Sequence, residues 1–304
     1  MQRLSVNRDD PLYTYAISFM ERAWKVKGFF PGAQPVSIEY RHFDILSSNE
    51  YLVCEKTDGL RFMLLAFMYN NKKTCVLINR ALDVYTCPLN FRKPIYDGTI
   101  IEGELYKDTF MAYDCMMVRG SKIGENDMID RLKHMEELQK MLTVLKYDPI
   151  KFKIKTFHVM AEFEKFMNEY LPTVEQEIDG LIFTPVKDPV QKGTHETMFK
   201  WKPKDKNTID FQFKRKGDTW KLYVQERGKL MFESEIHTYQ VPEHIDVQED
   251  SIIECQYMLN DSPMWWKPIM RRYDKTFPNS RRTFYRTLVN IKEGIIMSDF
   301  LKCT

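Results

Sequence analysis

The stretch EKTDGLR, Glu55 to Arg61, decides how this chain is read. YLVCE (51–55) leads into it and LRFMLLAFMY (60–69) leads out, both rich in β-formers. Asp58-Gly59 is a good hairpin-turn pair, which would leave Lys56 an ordinary solvated lysine. A lone K-x-D-G is a weak signal. On average residue usage it arises by chance in on the order of one chain in twenty of this length. Taken alone, the plain turn is the better reading.

Working outward, further clusters follow in order. IEGELY (101–106) puts Glu102 and Glu104 on one strand face, because strand side chains alternate with period two. AYDCMMV (112–118) carries Tyr113 and Asp114, and KFKIKTF (151–157) alternates Lys151, Lys153 and Lys155. EIDGLIFTP (177–185) carries Asp179, and MFKWKP (198–203) places Lys200 and Lys202 on a shared strand face. WKPIMRRYDK (266–275) ends on Arg272, Asp274 and Lys275. Each has a bland alternative: a solvated carboxylate face, an edge strand guarded by lysines, a core tyrosine, surface charge. Those alternatives would have to coincide several times over in one chain.

The surrounding texture is that of an α+β protein. Strand-like runs include TCVLINR (74–80), LDVYT (82–86), TIIEGELY (99–106), TFMAYDCMMV (109–118), GLIFTPV (180–186) and TMFKWKP (197–203). Apolar positions at three and four spacing predict a helix over 126–147, capped by Asn126 or Asp127, and a second helix is expected near 158–170. FFPGAQP (29–35) is a Pro/Gly break. After Thr208 short strands are expected at 209–215, 219–225, 229–235 and 251–258, the spacing of a small antiparallel barrel, followed by a helix at 279–293. The expected domains are therefore 1–207 and 208–304.

Composition excludes several classes. The 304 residues are 43% hydrophobic and 29% charged, with 12 Gly and 14 Pro, which does not suit a collagen-like or disordered chain. A net charge of +2 cannot hold a polyanion by bulk attraction, so local clusters must do it. No run is apolar enough to span a bilayer, and the start MQRLSVNRDDP lacks the apolar core of a signal peptide. The six cysteines form no C-x-x-C pair and are expected as buried free thiols in a reducing compartment, cytoplasm or nucleus.

In this order the motifs resemble the covalent nucleotidyltransferases, the superfamily of mRNA capping guanylyltransferases and ATP-dependent polynucleotide ligases. The likeness covers roughly residues 35–290. PVSIE (35–39) and EKTDGLRFM (55–63), with Thr57 after the lysine, resemble the compact viral capping enzymes of large DNA viruses such as chlorella virus. The resemblance implies a ligase-type, ATP-grasp-like nucleotidyltransferase domain of antiparallel sheets with flanking helices, then a C-terminal OB-fold barrel acting as a lid. It implies GTP as substrate, Mg²⁺ or Mn²⁺ as cofactor and 5′-diphosphate RNA as acceptor. Partners on separate chains would be an RNA triphosphatase, a cap methyltransferase or RNA polymerase.

Carried over residue by residue, the likeness makes Lys56 the nucleophile. A lysine must lose its proton to attack, and cationic neighbours such as Lys200 and Lys202 favour that loss while steadying the α-phosphate. Asp179 and Glu104 stand for metal or ribose contacts, and Mg²⁺ prefers such oxygen ligands. Asp58 would orient the loop, Arg61 and Arg80 would contact ribose, and Tyr113 would stack on guanine. Lys155 would read guanine O6, with Lys151 and Lys153 open as alternatives by register. Asp210 follows the lysine strand, and Arg272 and Lys275 would close on the β- and γ-phosphates, with Asp274 a nucleotide-site residue of the same motif. Glu102 departs from the pattern, which more usually has Asp before Gly-Glu. The rivals are an ATP-dependent DNA or RNA ligase and an inactive OB-containing module binding nucleic acid or polymerase, with Arg281, Arg282 and Arg286 as its docking face.

Overall fold

The central strand Leu60–Tyr69 shows why the first half of the chain folds around a sheet. Its residues alternate between two cores. Phe62 and Leu64 pack with Met135 and Leu138 of the helix Met128–Gln139. Met63, Leu65 and Phe67 pack with Ala16, Met20 and Trp24 of the helix Pro11–Trp24. A strand covered on both faces needs an almost continuous apolar run, and LRFMLLAFMY supplies one. The computed structural model of the chain describes residues 4–144, 148–261, 263–273 and 275–304.

Two compact units emerge: 1–36 with 44–200 and 301–304, and 37–43 with 201–300. In the first, the larger sheet runs in the order Ser5–Val6, Val84–Thr86, Lys72–Asn79, Leu60–Tyr69, Thr99–Tyr106, Thr109–Val118, Ser121–Lys122. Lys151–Ile154 adds to Thr109–Val118 in parallel. The other sheet runs His158–Val159, Tyr51–Thr57, Ile178–Pro185, Thr194–Trp201, Gln34–Ser37.

The two strands flanking Asp58-Gly59 therefore do not pair with each other. Tyr51–Thr57 pairs with Ile178–Pro185, whereas Leu60–Tyr69 pairs with Thr99–Tyr106 and Lys72–Asn79. The turn is a crossing between sheets, not a hairpin, and it leaves Lys56 and Arg61 on different sheets.

The helix expected over 126–147 is shorter. Asp127 caps it by accepting from the Asp130 N–H, and it ends at Gln139 with Lys140 as C-cap. Leu142–Thr143 then pairs with Asn90–Phe91, and 145–147 lie outside the described residues. The helix expected near 158–170 is broken into short turns from Met160 to Thr173, including a π-helical turn at Phe166–Tyr170.

The second unit is built on an antiparallel sheet ordered Lys229–His237, Thr219–Glu226, Thr208–Lys216, Ile252–Met258, Trp265–Arg271. Ile209, Phe211, Phe213, Trp220, Leu222 and Val224 face a core shared with Phe284 and Ile291 of the helix Arg281–Glu293. The edge strand Trp265–Arg271 was not anticipated, because Pro268 argues locally against a strand; it sits at a register shift opposite Cys255. No ladder joins the edge strands Lys229–His237 and Trp265–Arg271 among the described residues.

Candidate active site

Lys56 is the penultimate residue of its strand, half-buried, with Nζ 2.8 Å from Asp179 Oδ1. Asp179 reaches it through a β-bulge: Ile178 pairs with Thr57 and Gly180 with Lys56, so Asp179 is the extra residue. A bulge re-aims one side chain out of the alternation, a device concentrated near active sites. Asp58 is exposed on the sheet crossing, its N–H donating to the Glu177 carbonyl at 2.9 Å.

Across the crossing, Arg61 pairs in register with Glu104 but gives its Nη2 to Glu102 Oε2. Its guanidinium lies between two rings, 5.4 Å from the centroid of Phe30 and 5.9 Å from that of Tyr113. Tyr113 is again a bulge residue, because Glu102 pairs with Asp114 and Gly103 with Ala112. Its hydroxyl donates to Glu102 Oε2 at 3.3 Å. The intervening Gly103 is required sterically, since a Cβ there would sit 2.5 Å from the Phe110 ring and 2.7 Å from the Met111 carbonyl. Burial is the largest influence on Arg61 and opposes its charge, yet Tyr113, Glu102 and Glu104 outweigh it and raise the pKa. Burial pushes the Tyr113 phenol well up. Arg80 feels desolvation first and then the like charge of Arg61, both lowering its pKa, which places it beside the same cluster.

Lys155 lies beneath these groups. Its Nζ donates to Glu104 Oε2 at 2.9 Å and to the Glu55 carbonyl at 3.1 Å, so one N–H remains for a third acceptor. Desolvation acts against its charge, but Glu104, Cys54 and Glu55 together raise its pKa. Lys151 and Lys153 are both exposed, Lys151 paired with Asp108 at 2.7 Å. Of the three alternating lysines, Lys155 is the one held among the site's carboxylates.

Lys200 is half-buried in the strand Thr194–Trp201, and Lys202 follows just past its end. In the second unit, Asp210 accepts from Arg272 Nη1 at 3.2 Å and from Lys275 Nζ, while Arg272 also donates to Glu254 Oε2 at 3.2 Å. Asp274 lies outside the described residues.

Several groups here had no signal in the sequence. Glu55, 1% exposed and next to Lys56 on its strand, accepts from Tyr170 Oη at 3.3 Å and Gln176 Nε2 at 3.0 Å. Arg131, also 1% exposed, grips Asp114 with two N–H···O bonds of 2.7 and 3.1 Å, fixing the strand that carries Tyr113. All six cysteines are buried and unbridged, as expected.

Residues 6–204 match the mRNA capping enzyme catalytic-domain family and residues 178–301 its C-terminal-domain family. The chain is similar to the mRNA-capping enzyme subunit alpha of Schizosaccharomyces pombe, 28% identical over 90% of this chain and 79% of that one. It is 34% identical to the Eremothecium gossypii subunit alpha over 60% of this chain and 47% of that one. To the Danio rerio mRNA-capping enzyme it is 27% identical over 92% of this chain, spanning 50% of the fish protein. These three relatives are fungal and animal; the likeness to viral enzymes stays one of motifs. Among solved structures, a mycobacterial DNA ligase D complexed with ATP and MES aligns over 81% of this chain and 96% of its own, at 13% identity and a TM-score of 0.44.

Proposed function

This chain belongs to the mRNA capping enzyme family, and we propose that it transfers GMP from GTP to the 5′-diphosphate end of RNA through a covalent adduct on Lys56. One observation carries the reading: Lys56 Nζ sits at the crossing between sheets, 2.8 Å from the bulge-borne Asp179.

In the first step the Nζ lone pair attacks the α-phosphorus of GTP. An N–P bond forms, the bond to the bridging oxygen breaks, and pyrophosphate leaves with the electron pair. A proton must leave Nζ, and Asp179 Oδ1 is the acceptor in reach. In the second step a terminal phosphate oxygen of the RNA diphosphate attacks the same phosphorus, and the lysine nitrogen departs and recovers a proton. Arg61 holds the ribose: its Nε is buried and has no acceptor among the described residues, so a nucleoside hydroxyl would satisfy it. The third N–H of Lys155 meets guanine O6, where adenine would oppose it with an amino group. Tyr113 supplies the ring against the base.

Glu104 and Asp179 fit a divalent cation of the Mg²⁺ kind. No group of three metal-ligating side chains occurs among the described residues, and Mg²⁺ characteristically takes only one or two protein carboxylates, filling its shell with substrate phosphates and water. When bound, such an ion neutralises charge on the phosphates. Residues 1–207 are the catalytic domain in this reading and 208–304 the lid domain, whose Arg272 and Lys275 serve the nucleotidylation step.

The test is incubation with α-labelled GTP or ATP and Mg²⁺, followed by denaturing electrophoresis. Label retained from GTP and lost in Lys56→Ala is the expected result. Label from ATP alone would mean a ligase, and none from either would leave a binding module.

A further inference from the structure

The segment Phe30-Pro31-Gly32 is buried although it belongs to no helix or strand. It is pinned from beyond: Gln34 N–H donates to the Gly193 carbonyl at 2.7 Å, and Gly193 N–H donates to the Pro31 carbonyl at 3.1 Å. Its Phe30 ring carries the Arg61 guanidinium at 5.4 Å. Gly32 comes closer still. A Cβ added there would lie 2.4 Å from Arg61 Nη2, 2.5 Å from Glu102 Oε2 and 2.9 Å from the Phe30 ring. Gly32 is not in the left-handed region, so its backbone would accept alanine without strain. What excludes a side chain is the space taken by the Arg61–Glu102 pair and by the Phe30 ring.

We infer that Phe30-Pro31-Gly32 is a strap that positions the nucleoside-binding pair, and that Gly32 is a positioning residue for ribose recognition; this rests on the reading of Arg61 as the ribose contact. The strap backs the guanidinium on one side and Tyr113 flanks it on another. Glu102 joins all three, bonding both Arg61 and the Tyr113 hydroxyl. Displacing that carboxylate therefore disturbs ribose and base contacts together. The two nearest atoms that would be struck are the tips of long side chains, which can swing aside while the fold stays.

The experiment compares wild type, Gly32→Ala and Phe30→Leu. In Gly32→Ala, the GTP concentration giving half-maximal adduct formation should rise about tenfold, the loss of one modest contact at 1.4 kcal/mol per tenfold. The maximal rate should stay within a few-fold, and preference for GTP over 2′,3′-dideoxy-GTP should shrink. Phe30→Leu removes the ring beside the guanidinium and adds no clash, and it should weaken GTP dependence in the same direction. A second readout needs no catalysis: the Arg61 Nε–H should give an exchange-protected ¹⁵N–¹H cross-peak in wild type, lost or shifted in both variants. A folded Gly32→Ala with unchanged cross-peak and unchanged GTP dependence overturns the strap, as does a folded Phe30→Leu that leaves both unchanged. If wild type took no label from GTP, the guanylyl-transfer reading would fail while the cross-peak still decided the strap.

Discussion

Lys155→Met is the sharpest probe of base recognition. The side chain is 2% exposed and spends two of its three N–H bonds on Glu104 and the Glu55 carbonyl. The third is available to guanine O6. A hydrogen bond from a charged donor contributes about 1.5–3 kcal/mol net, which at 1.4 kcal/mol per tenfold is about 10- to 150-fold in discrimination. The direct comparison is GTP against 2-aminopurine ribonucleoside triphosphate, which keeps the exocyclic amine and lacks O6. Wild type should favour GTP by that factor in labelled-adduct formation, and Lys155→Met should bring the ratio near one. Removing the ammonium also strands the Glu104 carboxylate, 16% exposed, and breaking a buried pair costs about 3–5 kcal/mol when no water reaches it. Lys155→Met with Glu104→Gln removes that charge. Because the readout is a ratio of two nucleotides on one protein, general loss of rate cancels. A folded double variant that still prefers GTP by the wild-type factor would refute the O6 assignment.

Other outcomes follow from the same geometry. Arg272→Ala should block adduct formation far more than GMP transfer from a preformed adduct, measured by single-turnover assays of each step; equal losses would contradict that division of labour. Arg131→Met should destabilise the first unit by about 3–5 kcal/mol in urea titration, because Asp114 is left charged and buried. Adding Asp114→Leu should restore most of it, since an apolar pair of similar volume needs no desolvation. His158 and His195 both have pKa values lowered, in each case chiefly by burial. Their folded forms bind protons less readily than the unfolded chain, so stability is intact above the unfolded value of about 6.5 and falls as pH drops below it. His195→Asn should flatten the urea midpoint over that window; an unchanged slope would remove His195 from the account.

Alternation and motif order made much of the site legible. Glu102 and Glu104 share a face because strands alternate, and Lys155 is the buried member of its alternating trio through parallel pairing with Thr109–Val118. What stayed hidden depends on partners distant in sequence. Asp58-Gly59 has the same local chemistry whether the next strand folds back or joins another sheet, so the hairpin reading was reasonable and wrong. The apolar spacing of MLTVLKY extends a helical pattern beyond Gln139, but Met141 N–H bonds back to Leu138 and Leu142 pairs with Phe91. Arg131 gave no signal, since nothing within its helix shows that Asp114 lies opposite.

The bulges are the deeper case. Asp179 and Tyr113 each stand one residue out of register with the partner strand, and each points where regular alternation would not send it. A bulge is a property of two strands counted against each other, and neither strand records it alone. Lys56 and Arg61 add a third constraint: only five positions apart, they are divided by the crossing, one on each sheet. A nucleotide held by both is therefore gripped from two sheets at once, through one four-residue connection. A one-residue slip of the strand Leu60–Tyr69 would turn Phe62 and Leu64 to the face now held by Met63 and Leu65, so the two cores fix the face on which Arg61 stands. A four-letter match of little weight alone therefore gains its force from the apolar run that follows.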